Sequence, residues 1–190
     1  TDCYDNTNTC MINVAVADNT APTLTIPSNT TVTCDQYFSQ IGPYLDSGNG
    51  AVLDGIFGTA TYDDNCEAIL DYNYSYNVDD CGDGNILRFW TVNDPSGNGP
   101  ITQVQVITVY HVSNWYVAFP GDQTVTCANG EVPDTGSPNV YFDNCENIIV
   151  GHVDTYYDVV PDACYKIVRE WSAINWCTYP DEGAETGIQV

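Results

Sequence analysis

Positive charge is what this chain has least of. Among 190 residues only three are Lys or Arg, against 26 Asp and Glu, for a formal net charge of −23. That balance argues against nucleic acid and against an anionic membrane surface as partners, because both need clustered basic side chains to release counterions. Cations are the partners such a surface suits. No apolar run is long enough to cross a bilayer, so direct membrane insertion is not expected, and no secretory leader is legible. No amphipathic pattern of ordinary helix length is present, so no Gly-rich phosphate loop opens a helix. There are only two His residues. His111 and His152 sit in strand-like runs with no signature tying them to a nucleophile, and the acids are scattered through turns rather than paired across a cleft. The chain is expected to be no enzyme and to need no organic cofactor.

What is present is Thr, Val, Tyr and Asn in short alternating runs, broken by Gly, Pro, Asn and Asp, which is an all-β composition. The nine Cys include no C-x-x-C pair and read as disulfides made in an oxidising compartment, hence a secreted protein. Zinc wants close thiolate pairs with His and is the weaker use of these residues.

The chain repeats itself. Ile86-Leu87-Arg88-Phe89-Trp90-Thr91-Val92 returns as Ile167-Val168-Arg169-Glu170-Trp171-Ser172-Ala173. At the two-residue strand period, Arg88 and Trp90 share one face, and so do Arg169 and Trp171. Two of the three cations thus stand beside a Trp at one repeat position. They read as structural, each guanidinium lying along an indole and tied to a carboxylate or to loop carbonyls. Thr31-Val32-Thr33-Cys34 is copied by Thr124-Val125-Thr126-Cys127, Asp64-Asn65-Cys66-Glu67 by Asp143-Asn144-Cys145-Glu146, and Ile26-Pro27 by Phe119-Pro120. A Gly-rich excursion, residues 42–58, is shortened in the second copy.

This ordered set, with the loop near Asn175-Trp176-Cys177 and the junction Asp18-Asn19-Thr20-Ala21-Pro22, resembles the hyalin-repeat-like, immunoglobulin-like modules strung in tandem in large secreted surface proteins of Bacteroidota. The resemblance implies tandem immunoglobulin-like β-sandwich modules used as structural or adhesive units at the cell surface, often exported by the type IX route. The first copy departs from it where Pro95 and Ser96 replace the loop cysteine. The expected organisation is a closing strand of a preceding or neighbouring module (residues 1–18), a first module (19–112), and a second module (113–190) lacking most of its closing strand.

Sequence spacing pairs Cys66 with Cys81 and Cys145 with Cys164, and leaves Cys127 with Cys177. Cys3 and Cys10 flank a loop that they could clamp. The odd count leaves one thiol over, with Cys34, Cys3 and Cys10 as candidates. Calcium is the expected ligand if there is one, since Asp63, Asp64, Asn65 and Glu67 facing Asp79 and Asp80 would offer several oxygens. Trp115, Trp176 and the Tyr72, Tyr74, Tyr76 stripe offer rings for surface polysaccharide, although such stripes also serve as cross-strand packing.

The ends carry the assembly expectation. Ile12, Val14 and Val16 belong to a strand without a module, and Ile188 and Val190 to a closing strand barely begun. Either neighbouring repeats of one long chain or other copies of the same chain complete the fold, and both arrangements make an extracellular fibre or stalk. Self-repulsion among the acids should also make the fold more stable in salt or with divalent ions. Melting temperatures in dilute buffer, added salt and added calcium should therefore rise in the last two conditions, and equal values would refute it.

Overall fold

The alternating stretches resolve into strands in a computed structural model, which describes residues 3–5, 7–124, 126, 134–158, 164–181 and 183–190. In chain order the described strands are β1 (Thr23–Thr25), β2 (Thr30–Thr33), β3 (Thr61–Asp63), β4 (Ile69–Val78), β5 (Gly84–Asn93) and β6 (Ile101–Tyr110). They continue as β7 (Trp115–Ala118), β8 (Asn139–Phe142), β9 (Ile148–Tyr157), β10 (Lys166–Asn175) and β11 (Ala184–Gln189). The fold is mostly β, sandwich-like and built from several sheets, ordered β1-β3, β2-β6-β5-β4, β7-β8 and β11-β10-β9. On β5, Ile86, Arg88, Trp90 and Val92 are all buried while the residues between them are partly exposed. That is the period a pleated strand with one covered face requires.

Helix enters where the sequence reads as a loop. Thr33 ends β2 and caps α1 (Cys34–Gln36): its hydroxyl accepts the Gln36 N–H, and the Gln36 side chain accepts the Thr33 N–H, a reciprocal capping box. A π-helical turn (Tyr37–Ile41), α2 (Gly42–Asp46) and α3 (Ala51–Phe57) follow. The Gly-rich excursion is therefore largely helical. Tyr37, Ile41 and Leu45 recur every fourth residue and are buried together, so a helical stripe was present beneath the Gly and Pro residues.

By contacts the chain forms two compact units. The first comprises Thr1–Pro27, Thr59–Asn73 and Phe89–Val104. In it β1 pairs antiparallel with β3, Leu24 opposite Tyr62, and Leu24, Trp90 and Val92 form a core with Ile26, Leu70 and Ile101 against it. The second comprises Ser28–Gly58, Tyr74–Arg88 and Gln105–Val190. Its main core is Val32, Tyr37, Ile41, Leu45, Leu53, Ile86, Ile107 and Val109. Here β2 runs parallel to the end of β6, in a register that runs from Thr30 beside Ile107 to Thr33 beside Tyr110. In the same unit β10 is flanked by β9 and β11, both antiparallel.

The cysteines do not pair as their spacing predicts. Cys34 bonds Cys145 and Cys81 bonds Cys177, with Cα separations of 5.8 and 5.4 Å. Cys66, expected to bridge to Cys81, is a free thiol, as are Cys3 and Cys10, which form no clamp. Cys164 is disulfide-bonded, but not to Cys145. Cys127 lies outside the described residues, and Cys177 is taken by Cys81. The reason is strand length. Ten-residue β4 separates Cys66 from Cys81, and ten-residue β9 separates Cys145 from Cys164. Each is a run of roughly 33 Å, whereas a disulfide needs Cα atoms within about 7 Å. Gly82, at φ 83°, allows the close approach beside the first bridge, since a Cβ there would lie 2.1 Å from the Cys34 Cβ.

The bridges span 111 and 96 residues of sequence, and closing loops near 100 residues removes about 4–5 kcal/mol of unfolded-chain entropy each. The double variant Cys81→Ser, Cys177→Ser should lose about that much unfolding free energy in denaturant titration. Peptide mapping without reductant should join the Cys34 and Cys145 peptides and leave Cys66 alkylated.

Candidate functional site

Residues 7–22 carry no helix or strand, although four of them are large apolar residues on a strand-like pattern. Met11, Ile12, Val14 and Val16 are 97%, 79%, 78% and 88% exposed. Val16 stands as far before Pro27 as Val109 does before Pro120, so Val14 and Val16 correspond to Ile107 and Val109 of β6, which are 0% and 1% exposed. Among the described residues, Ile188 lies on β11 opposite Glu170 and is exposed. Val190 accepts the Gln123 N–H through its carbonyl and donates its own N–H to Asp122.

The two Arg-Trp positions differ in depth. Arg88 is fully buried and donates to the Gln105 amide oxygen at 2.8 Å, the Gly58 carbonyl at 2.9 Å and the Asp54 carboxylate. Arg169 grips both Asp154 oxygens at 2.7 and 2.8 Å and stands 5.3 Å from the centre of the Trp171 ring. The Trp171 indole N–H donates to Gln189. Sequence reading missed Gln105 and Gln189, yet both are buried. Each carries the same duty, donating from its amide to a loop carbonyl, that of Ser28 or Gly121.

The acids expected to form one calcium site are dispersed. Asp79 uses its carboxylate on its own turn, accepting the N–H groups of Cys81 and Asp83 at 3.0 and 2.9 Å. Asp80 and Glu67 are exposed, and Asp63 ends β3. The length of β4 again divides the turn at 63–67 from that at 79–83. Asp64 instead meets Asp18 and Asp94, the ligand atoms of the three lying within 4.8 Å of one another. Neither oxygen of Asp64, nor Oδ2 of Asp18, reaches solvent or accepts a hydrogen bond. Asn65 donates to Asp18 Oδ1 at 3.0 Å, and Asn98 donates to Asp94 Oδ2 at 2.7 Å and to the Asp18 carbonyl. The Thr20 N–H holds Asp18 below the usual carboxylate range, and the Ser96 N–H does the same for Asp94. Asp18, hydrogen-bonded to the Cys66 thiol, pushes that thiol up. Asp18 and Asp94 were overlooked because each read as a junction or loop residue.

Rings serve packing and surface in different places. Tyr72 tilts onto Trp90 with centroids 5.4 Å apart, Tyr74 covers the second unit's core, and Tyr76 donates to Asp46. Tyr116 and Tyr141, both exposed, stack at 4.5 Å, and Trp176 meets Tyr179 edge-on. No family model matches the chain, and no curated protein is significantly similar to it.

The Arg169 hydrogen bonds hold Asp154 below the usual carboxylate range, and Asp154 raises Arg169 in return. An Asp depressed in the folded state contributes stability above its unfolded value, about 3.9, and loses it as pH falls through the folded value. Asp154→Asn should therefore cost on the order of 1 kcal/mol at neutral pH, and its stability should fall less than the parent's between neutrality and strong acid. Parallel pH curves for the two proteins would contradict this.

Proposed function

We propose that the chain is a structural and adhesive unit of an extracellular filament or cell-surface stalk, assembled from tandem immunoglobulin-like modules or by strand donation between copies. The observation that carries this reading is the apolar segment at Met11 to Val16, bare to water while its sequence counterparts in β6 are core. Covering about four such side chains is worth roughly 1.5–3 kcal/mol each, and an unpaired alternating segment gains backbone hydrogen bonds when it joins a sheet edge. Partners are then other copies of the chain or neighbouring repeats. The Cys34–Cys145 and Cys81–Cys177 disulfides fit a non-reducing, extracellular-type environment, and no described helix is long and apolar enough to cross a membrane. The resemblance to hyalin-repeat-like surface modules points the same way.

Carbohydrate binding is the second reading. It is favoured by the exposed Tyr116–Tyr141 stack and by Trp176 beside Tyr179, flat apolar faces of the kind sugar rings stack on.

Electron microscopy of the native material, with a denaturing gel run with and without reductant, separates these readings. Filaments that fall to a small subunit mean strand donation, filaments of one very long chain mean a tandem array, and an absence of filaments moves the function to polysaccharide binding. If strands are donated, Val14→Asp with Val16→Asp should abolish assembly while leaving the thermal transition of the subunit within a few degrees of the parent's.

A further inference from the structure

We propose that Asp18, Asp64 and Asp94 form a binding site for one divalent cation, calcium by its chemistry. Three independent features of the same place lead there.

The first is geometry. Two oxygens bound to one calcium ion at roughly 2.4 Å can be at most about 5 Å apart, and the ligand atoms of the three carboxylates lie within 4.8 Å of one another.

The second is unmet demand. Both Asp64 oxygens and Asp18 Oδ2 are cut off from solvent and accept no hydrogen bond. Ionised oxygens in that condition, beside like charges, are disfavoured unless a cation or donor neutralises them. The donors nearby are already committed to other oxygens of the cluster. Asn65 is bound to Asp18 Oδ1, and the Ser96 and Asn98 N–H groups are bound to Asp94. These bonds leave Asp18 Oδ2 and both Asp64 oxygens without a donor, beside an Asp94 whose two oxygens are already bonded.

The third is the second copy of the motif, which meets the same problem with protein groups. Counting back from the matched prolines, Asp18 corresponds to His111. Asp64 corresponds to Asp143 in the copied Asp-Asn-Cys-Glu, and Asp94 to Asn175 by the Arg-Trp strands. The last correspondence is also structural. Asp94 Oδ1 accepts the Ser96 N–H at 2.7 Å, and Asn175 Oδ1 accepts the Cys177 N–H at 3.1 Å. Two of three carboxylates have thus been exchanged for an imidazole and an amide. His111 Nε2 lies 3.3 Å from Glu146 Oε2, the Asn175 amide donates to the same oxygen, and Asn114 donates to Asp143 at 2.7 Å. At the three matched positions the second copy thus keeps one carboxylate beside two groups able to donate, whereas the first keeps three carboxylates, and a cation supplies the missing positive partner.

An all-carboxylate set is hard-oxygen chemistry. It suits calcium, which accepts irregular geometry, better than magnesium, which demands an octahedron and keeps its waters. It also lacks the His and thiolate ligands that zinc prefers.

The test is thermal unfolding of the whole chain after chelation, then with calcium, magnesium or zinc added at roughly 0.15 M salt, where diffuse screening is already in place. Calcium should raise the transition saturably, with one ion bound per chain by equilibrium dialysis. Asp64→Asn should weaken that affinity at least tenfold. It should also melt above the parent in chelator, because it removes one of three adjacent carboxylates, and below the parent in calcium. Asp143→Asn should leave the calcium response unchanged. The proposal is overturned by a parent transition that ignores calcium, by a calcium response that survives in Asp64→Asn, or by tighter binding of zinc or magnesium than of calcium.

Discussion

The buried guanidinium of Arg88 is the interaction on which the second unit turns. A cation withdrawn from water must find oxygen partners, because its uncompensated burial costs several kcal/mol, and Arg88 finds the Asp54 carboxylate, the Gly58 carbonyl and the Gln105 amide oxygen. Each partner fixes something larger. Asp54 belongs to α3 and Gly58 follows it, so the excursion that contains them is held down and Leu53 is buried in the core. Gln105 passes the constraint on by donating to the Ser28 carbonyl, just before β2 takes its place beside β6. A planar, permanently charged fork can hold three such partners at once, which a lysine ammonium on a flexible stem does less well.

Scarcity of cations shapes the rest. With three Lys and Arg for 26 acids, most carboxylates must be satisfied by N–H groups, amides and turns. Asp79 and Asp94 close their own turns, and Asp154 takes Arg169. Glu146 gathers His111, Asn175 and the Asn114 N–H around one carboxylate. Those resources run out at Asp64 and at Asp18 Oδ2, which come together with Asp94.

The strands were legible because their information is local. Alternation at Ile86, Arg88, Trp90 and Val92 needs only the pleat to turn one face inward. The helical turns were not read, although Tyr37, Ile41 and Leu45 carry the spacing, because Gly42 and Pro43 between them look like loop. The cysteine pattern misled for a different reason: nearness in sequence says nothing about nearness across a ten-residue strand. Of the expected metal ligands only Asp64 reached the carboxylate cluster, and its partners come from a junction and a hairpin loop that no local pattern connects.

The sequence by itself determined the β character, the inward face that carries Arg88 and Trp90, and an excess of acid that the protein must neutralise. Those properties follow from composition and a two-residue period. Only the tertiary structure decided which cysteines meet, which of two equivalent arginines is fully buried, and which acids converge. Strand length and strand order set those distances, and residues far apart in the chain are brought within bonding range only when the sheets have formed.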